Sequence, residues 1–96
     1  MTVPRKIVLH SLHGYRPALD GLLHKWIQKG VKYIGVVGVD VSKIEDIIDE
    51  LCVGDGSNPY FMLIASHGPD EQLQDAVFLA EQFTDELAGK AVVVEF

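Results

Sequence analysis

Residues 6–39 read KIVLHSLHGYRPALDGLLHKWIQKGVKYIGVVGV. The stretch opens and closes on short apolar runs, and between them the apolar residues switch to helical spacing. A run that does not alternate polar with apolar residues marks a strand covered on both faces. KIVLHSL (6–12) and KYIGVVGV (32–39) are therefore predicted to be strands, the second loosened by Gly35 and Gly38. Between them Pro17 suits a first helical turn, and Leu19, Leu22, Leu23, Trp26 and Ile27 form one stripe. Gly30 supplies the stop. Strand, crossover helix, strand is the unit of a parallel sheet with right-handed winding.

The pattern repeats to residue 96. SKIE (42–45) predicts a capping box, with the Ser42 hydroxyl accepting from the Glu45 N–H and Glu45 reaching back. The stripe Ile44, Ile47, Ile48, Leu51 and Cys52 follows and ends at Gly54. GDGSNP (54–59) is a turn-rich loop and YFMLIAS (60–66) a third strand. GPDEQLQDAVFLAEQFTDELAG (68–89) predicts a helix with Pro69 and two acids in its first turn and Gly89 at its end. Its apolar stripe is Leu73, Ala76, Val77, Ala80 and Leu87. KAVVVEF (90–96) is the last strand. With no repeat, linker or low-complexity tract, residues 1–96 read as a single α/β domain of order βαβαβαβ. The expected architecture is a three-layer, flavodoxin-like or Rossmann-like domain with a parallel four-stranded sheet of spatial order 2-1-3-4. That order places the first helix on one face and the second and third on the other.

Composition bounds the function. The single cysteine, Cys52, rules out an intrachain disulfide and fits a reducing compartment. No apolar run reaches the roughly 18–20 residues that span a bilayer, and no signal peptide is read in MTVPRKIVLH, so the expected location is the cytoplasm, without a membrane partner. A net charge of −6 disfavours nucleic acid, whose phosphates repel such a surface. The charge is divided. Residues 1–33 carry Arg5, Lys6, Arg16, Lys25, Lys29 and Lys32 against Asp20, a net of +5. Residues 34–96 carry Lys43 and Lys90 against thirteen acids, a net of −11. On the expected topology this split makes opposite faces of opposite sign, which favours steered docking to a protein partner or self-association. Two independently solvated helix faces account for the same charges.

The chain has two His-Gly steps, HSLHG (10–14) and ASHG (65–68), each at the end of an apolar run. Ligands of open α/β sheets bind beyond the carboxyl ends of the strands where the winding reverses, which in a 2-1-3-4 sheet lies between strands 1 and 3. His13, Gly14, Arg16, Ser66 and His67 are the expected site residues, with Asp40 closing strand 2 nearby. Imidazoles and helix N-termini there suit a small anion or phosphoryl group. Turn and cap chemistry alone explains the same residues. His10 and His13 do not share a face on a strand, and Cys52 belongs to a helix stripe elsewhere, so no metal site is predicted. No cofactor is predicted either: GVVGVD (35–40) lacks the third glycine of a dinucleotide loop and does not open a helix.

The stretch from Phe61 to Ala80 resembles a segment of small uncharacterised bacterial α/β proteins, in which a strand ends in a Ser/Thr-x-His element before an acidic helix start. The matching positions are Ser66, His67, Asp70, Glu71, Leu73, Asp75, Ala76, Phe78 and Ala80. It covers about a fifth of the chain and implies no activity. SLHG with LDGLL (11–14 and 19–23) is faintly similar to the surroundings of the phospho-accepting histidine in sugar phosphotransferase carrier domains, which are longer. The residues assemble no complete catalytic constellation and weigh against an enzyme. The leading expectation is a non-enzymatic interaction or regulatory module that uses oppositely charged helix faces. The alternative is a small-anion or phosphoryl-handling site at the ends of strands 1 and 3, with His13 and His67.

Overall fold

β1 (Lys6–Ser11) and β2 (Tyr33–Gly38) form the middle of the sheet and are buried along nearly their whole length. The computed structural model describes residues 5–57, 59–83 and 89–96. In chain order the elements are β1, α1 (Ala18–Lys29), β2, α2 (Val41–Val53), β3 (Leu63–Ser66), α3 (Leu73–Ala80) and β4 (Val92–Glu95). All four strands run parallel in the order β3-β2-β1-β4. Ile7 lies beside Ile34 on one side and Val92 on the other, and Ile34 lies beside Ile64.

The alternating α/β class is as predicted, but the strand order 2-1-3-4 is corrected to 3-2-1-4. β3 adds to the open edge of β2 instead of crossing back to β1. Two successive right-handed crossovers then run in the same direction and put α1 and α2 on one face. The return from β3 to β4 crosses the other way and leaves α3 alone on the opposite face. This is the order of the first four strands of a Rossmann fold, and its winding reverses between β1 and β4. The expected grouping of the second and third helices is therefore wrong. So is the dipole built on it, because basic α1 and acidic α2 sit side by side. The apolar run YFMLIAS misled because only part of it is enclosed: Met62 and Ile64 pack into the α1–α2 core, while Phe61 stays 78% exposed.

Two cores follow from the two faces. Ile7, Leu9, Ile34 and Val36 of the sheet meet Leu19, Leu23 and Trp26 of α1 and Ile44, Ile48 and Cys52 of α2. Each such aliphatic side chain contributes about 1.5–3 kcal/mol by leaving water. The α3 side is thinner, with Val8, Tyr33 and Val37 against Ala76 and Ala80. The Tyr33 ring packs tilted on Phe83 at 5.0 Å between centroids. Lys6, at the start of β1, is buried on this side, and its ammonium donates to the carbonyls of Ala80, at 2.7 Å, and Gly89. It thereby satisfies the last carbonyl of α3, where a cation also suits the helix dipole.

α1 begins at Pro17 and stops at Gly30 (φ +87) as predicted, the Gly30 N–H donating to the Ile27 carbonyl at 3.1 Å. Of the helix predicted over 68–89, the described residues form α3 over Leu73–Ala80, while 84–88 lie outside the described residues. Gln72 is its N-cap, and the Gln72 N–H donates to Asp75 Oδ2 at 2.7 Å, so Pro69 lies outside the helix. Glu71 is not part of the first turn because its carboxylate is engaged upstream. Leu87, assigned to the stripe of that helix, lies outside the described residues. No helix among the described residues is long and apolar enough to cross a membrane.

Candidate functional site

Gly38 ends β2 at φ +111, and a Cβ there would stand 2.2 Å from the Ser11 carbonyl oxygen. Only glycine lets the chain leave the sheet so close to β1, and the Val39 N–H then donates to that same oxygen at 2.9 Å. Asp40 follows in the left-handed region (φ 58, ψ 33), which aspartate tolerates better than most side chains. Its carboxylate does not cap α2. Instead Oδ2 accepts from the Tyr15 N–H at 3.0 Å. Gly14, at φ +86, makes room for it, since a Cβ there would lie 2.4 Å from Oδ2. The glycine of the first His-Gly step is thus the seat of Asp40.

α2 consequently begins with free donors. It has no side-chain cap bond and no acidic residue in its first turn. The Ile44 N–H is the first to close onto the helix, at 2.9 Å from the Asp40 carbonyl, leaving the N–H groups of Val41, Ser42 and Lys43 ahead of it. The predicted SKIE capping box is corrected. The left-handed Asp40 starts the helix upstream of Ser42, and Glu45 Oε2 instead accepts from the Ser66 hydroxyl at the end of β3.

The second His-Gly step is built differently. The His67 ring is buried, 4% exposed, and its Nδ1 lies 2.7 Å from Glu71 Oε2. The Gly68 N–H donates to the other oxygen, Oε1, at 3.1 Å, while the Glu71 N–H closes a turn on the Gly68 carbonyl at 3.0 Å. The bonds from His67 and then Gly68 hold the Glu71 carboxyl below the usual glutamate range. With the Glu71 carboxylate as the acceptor, Nδ1 is the donor of this bond, and Nε2 is the other polar atom of the ring. That Nε2 is buried without a hydrogen-bond partner, as is the Tyr33 hydroxyl. Both lie over Gly35, where a Cβ would stand 3.3 Å from Tyr33 Oη and 3.7 Å from His67 Nε2. Burial pushes the Tyr33 phenol pKa up.

The start of α2 and the 66–69 segment border a cleft of about 550 Å³ at the carboxyl ends of β2 and β3. Asp40, Val41, Ser42 and Lys43 line one side and Ser66, His67, Gly68 and Pro69 the other. The Lys43 ammonium stands 5.3 Å over the Tyr15 ring. Backbone donors, the Ser42 hydroxyl and a lysine can together bind an anion.

Of the predicted site residues, Asp40, Ser66 and His67 line this cleft, and Gly14 supports Asp40 from the neighbouring loop. Arg16 is elsewhere: it stacks 4.2 Å over the Phe96 ring and donates to the Phe96 carbonyl at 3.3 Å, beside the β1–β4 reversal. His13 is exposed in the connection from β1 to α1. The two histidines do not converge because the sheet order separates β1 from β3 by β2. Sequence reasoning missed Ser42, Lys43, Glu45 and Glu71 in these roles. The four-residue spacing from His67 to Glu71 is the one signal that points to a member of this set. Among the described residues, no group of three or more His, Cys, Asp or Glu side chains is placed to hold a metal ion. Compared with models of protein families, with curated proteins and with solved structures, the chain matches none of them.

Proposed function

We propose that the chain is a non-enzymatic binding module for a small anion, a phosphate or carboxylate group, in the cleft between β2 and β3. The observation that supports it is the start of α2. Three backbone N–H groups and the Lys43 ammonium stand there with no carboxylate capping them, because Asp40 is turned toward Tyr15. The positive end of the helix dipole is left uncompensated, and a lysine in the first turn adds to it. The Glu71 anchor makes His67 a rigid wall residue.

The test is an amide NMR titration with phosphate and then acetate. Saturable shifts centred on Val41, Ser42, Lys43 and Gly68 are expected in the millimolar range, about 4 kcal/mol of binding. Lys43 is exposed, so Lys43→Glu leaves the fold intact and weakens binding about tenfold by reversing a charge at the helix start. Shifts centred elsewhere, or a Lys43→Glu variant that binds as tightly as the parent, would refute the reading.

A further inference from the structure

A different surface, independent of that cleft, runs along α3. Leu73, Val77 and Phe78, with Gln72, Gln74 and Glu81 around them, line an open groove of about 550 Å³. Phe78 is 67% exposed and Leu79 42% exposed, although a phenylalanine left in water forgoes a large share of its transfer free energy. Among the described residues nothing covers the Phe78 ring. The surrounding charge has one sign: residues 68–83 carry Asp70, Glu71, Asp75 and Glu81 and no lysine or arginine. Lys6, at the end of α3, is buried with its ammonium bound to the Ala80 and Gly89 carbonyls, and the exposed Lys90 stands next to Ala91, whose N–H donates to Glu81 Oε2 at 3.2 Å.

We infer that this flank of α3 docks a cationic amphipathic helical segment of another protein. An apolar groove edged by Glu81, on a segment that carries four acids and no base, is complementary to a helix that carries apolar residues on one face and lysine or arginine beside them. A second copy of this chain does not supply that partner. Its basic helix, α1, buries Leu19, Leu23 and Trp26 in its own core and presents Ala18, Gly21, His24, Lys25, Gln28 and Lys29 outward, with no large exposed apolar side chain to fill the groove. α3 is about 12 Å long, enough to engage two turns of a partner helix through residues spaced i, i+3 or i+4, and i+7.

The experiment uses two fluorescent peptides of about 16 residues that share a leucine stripe, one with lysine and one with glutamate on the polar face. Anisotropy is read at low and high salt. The lysine peptide is expected to saturate at micromolar protein and to weaken as salt rises, while the glutamate peptide does not bind. Phe78→Ala and Gln74→Lys, both at exposed positions, should each weaken the lysine peptide about tenfold. Asp46→Lys on the far face should leave it unchanged. Equal binding of both peptides, binding of neither, or lysine-peptide binding that survives Phe78→Ala and fails in Asp46→Lys would overturn the inference.

Discussion

Gly14 and Gly30 offer a controlled comparison. Their φ angles are +86 and +87, so alanine meets the same backbone penalty at both. That penalty is about 1–2 kcal/mol, offset by roughly 0.4–1 kcal/mol from the stiffer unfolded chain. Gly30 has nothing within 4 Å of its ideal Cβ, whereas at Gly14 that atom would lie 2.4 Å from Asp40 Oδ2. The Asp40 carboxylate must therefore move by most of an ångström, and the 3.0 Å bond from the Tyr15 N–H is broken. Losing a charge-assisted bond of this kind costs about 1.5–3 kcal/mol. Gly30→Ala is thus expected to cost about 1 kcal/mol and Gly14→Ala about 2.5–4 kcal/mol, read by urea unfolding followed through Trp26 fluorescence. In an Asp40→Ala background the carboxylate is gone, and Gly14→Ala should fall close to the Gly30→Ala value, with Val39 Cγ1 at 3.2 Å the tight contact that remains. If the two glycine variants cost the same in the parent protein, the contact between the β1–α1 loop and Asp40 does not stabilise the fold, and the account of how Asp40 is drawn off α2 fails.

Other outcomes follow from the same structure. Lys6→Met keeps the buried stem but strips the Ala80 and Gly89 carbonyls of their donor, so a loss of about 2–3 kcal/mol is expected in denaturant unfolding; a neutral result would show that water serves those carbonyls. Tyr33→Phe removes a buried hydroxyl that has no partner, and its stability should match or exceed the parent by up to about 1 kcal/mol; a marked loss would reveal a hidden partner over Gly35. Glu71 has a folded pKa below its unfolded value, so its contribution is present at neutral pH and fades as pH falls below the usual glutamate value toward the folded one. Comparing the parent with Glu71→Gln across that range should show their stabilities converging in acid. A gap constant with pH would mean that the charge of Glu71 is not what matters.

The strands and α1 were legible because their signals are local. Continuous apolar runs, Pro17 at the helix start and Gly30 at its end state their own conformation. Strand order was not, because it depends on whether β3 pairs with the open edge of β2 or with that of β1, and YFMLIAS carries the same apolar content whether it is enclosed or at an edge. The helix starts failed for a related reason. SKIE and GPDE both satisfy cap patterns, yet long-range partners outcompete them. Glu45 is taken by Ser66 and Glu71 by His67, and Asp40, which opens α2, is held by Tyr15 of another loop. Half of the cleft was within reach, since Asp40, Ser66 and His67 stand at strand ends where α/β sheets hold ligands. Lys43 was hidden by an assumed cap.

The position of β4 also bears on how the chain assembles. β1 finds β2 across 27 residues, Ile7 to Ile34, but meets β4 only across 85, Ile7 to Val92. The longer closure costs about 1 kcal/mol more in chain entropy, on the logarithmic scaling of loop closure. The first three strands and their two helices can therefore condense while one edge of β1 is still bare, with Val92–Glu95 arriving last to cover it. During that interval one edge of a central, almost wholly buried strand is an unpaired template, open to the same strand of a neighbouring chain. Pulse-labelled hydrogen exchange during refolding should show the Ile34 amide protected before that of Val94, and simultaneous protection would remove the staged assembly.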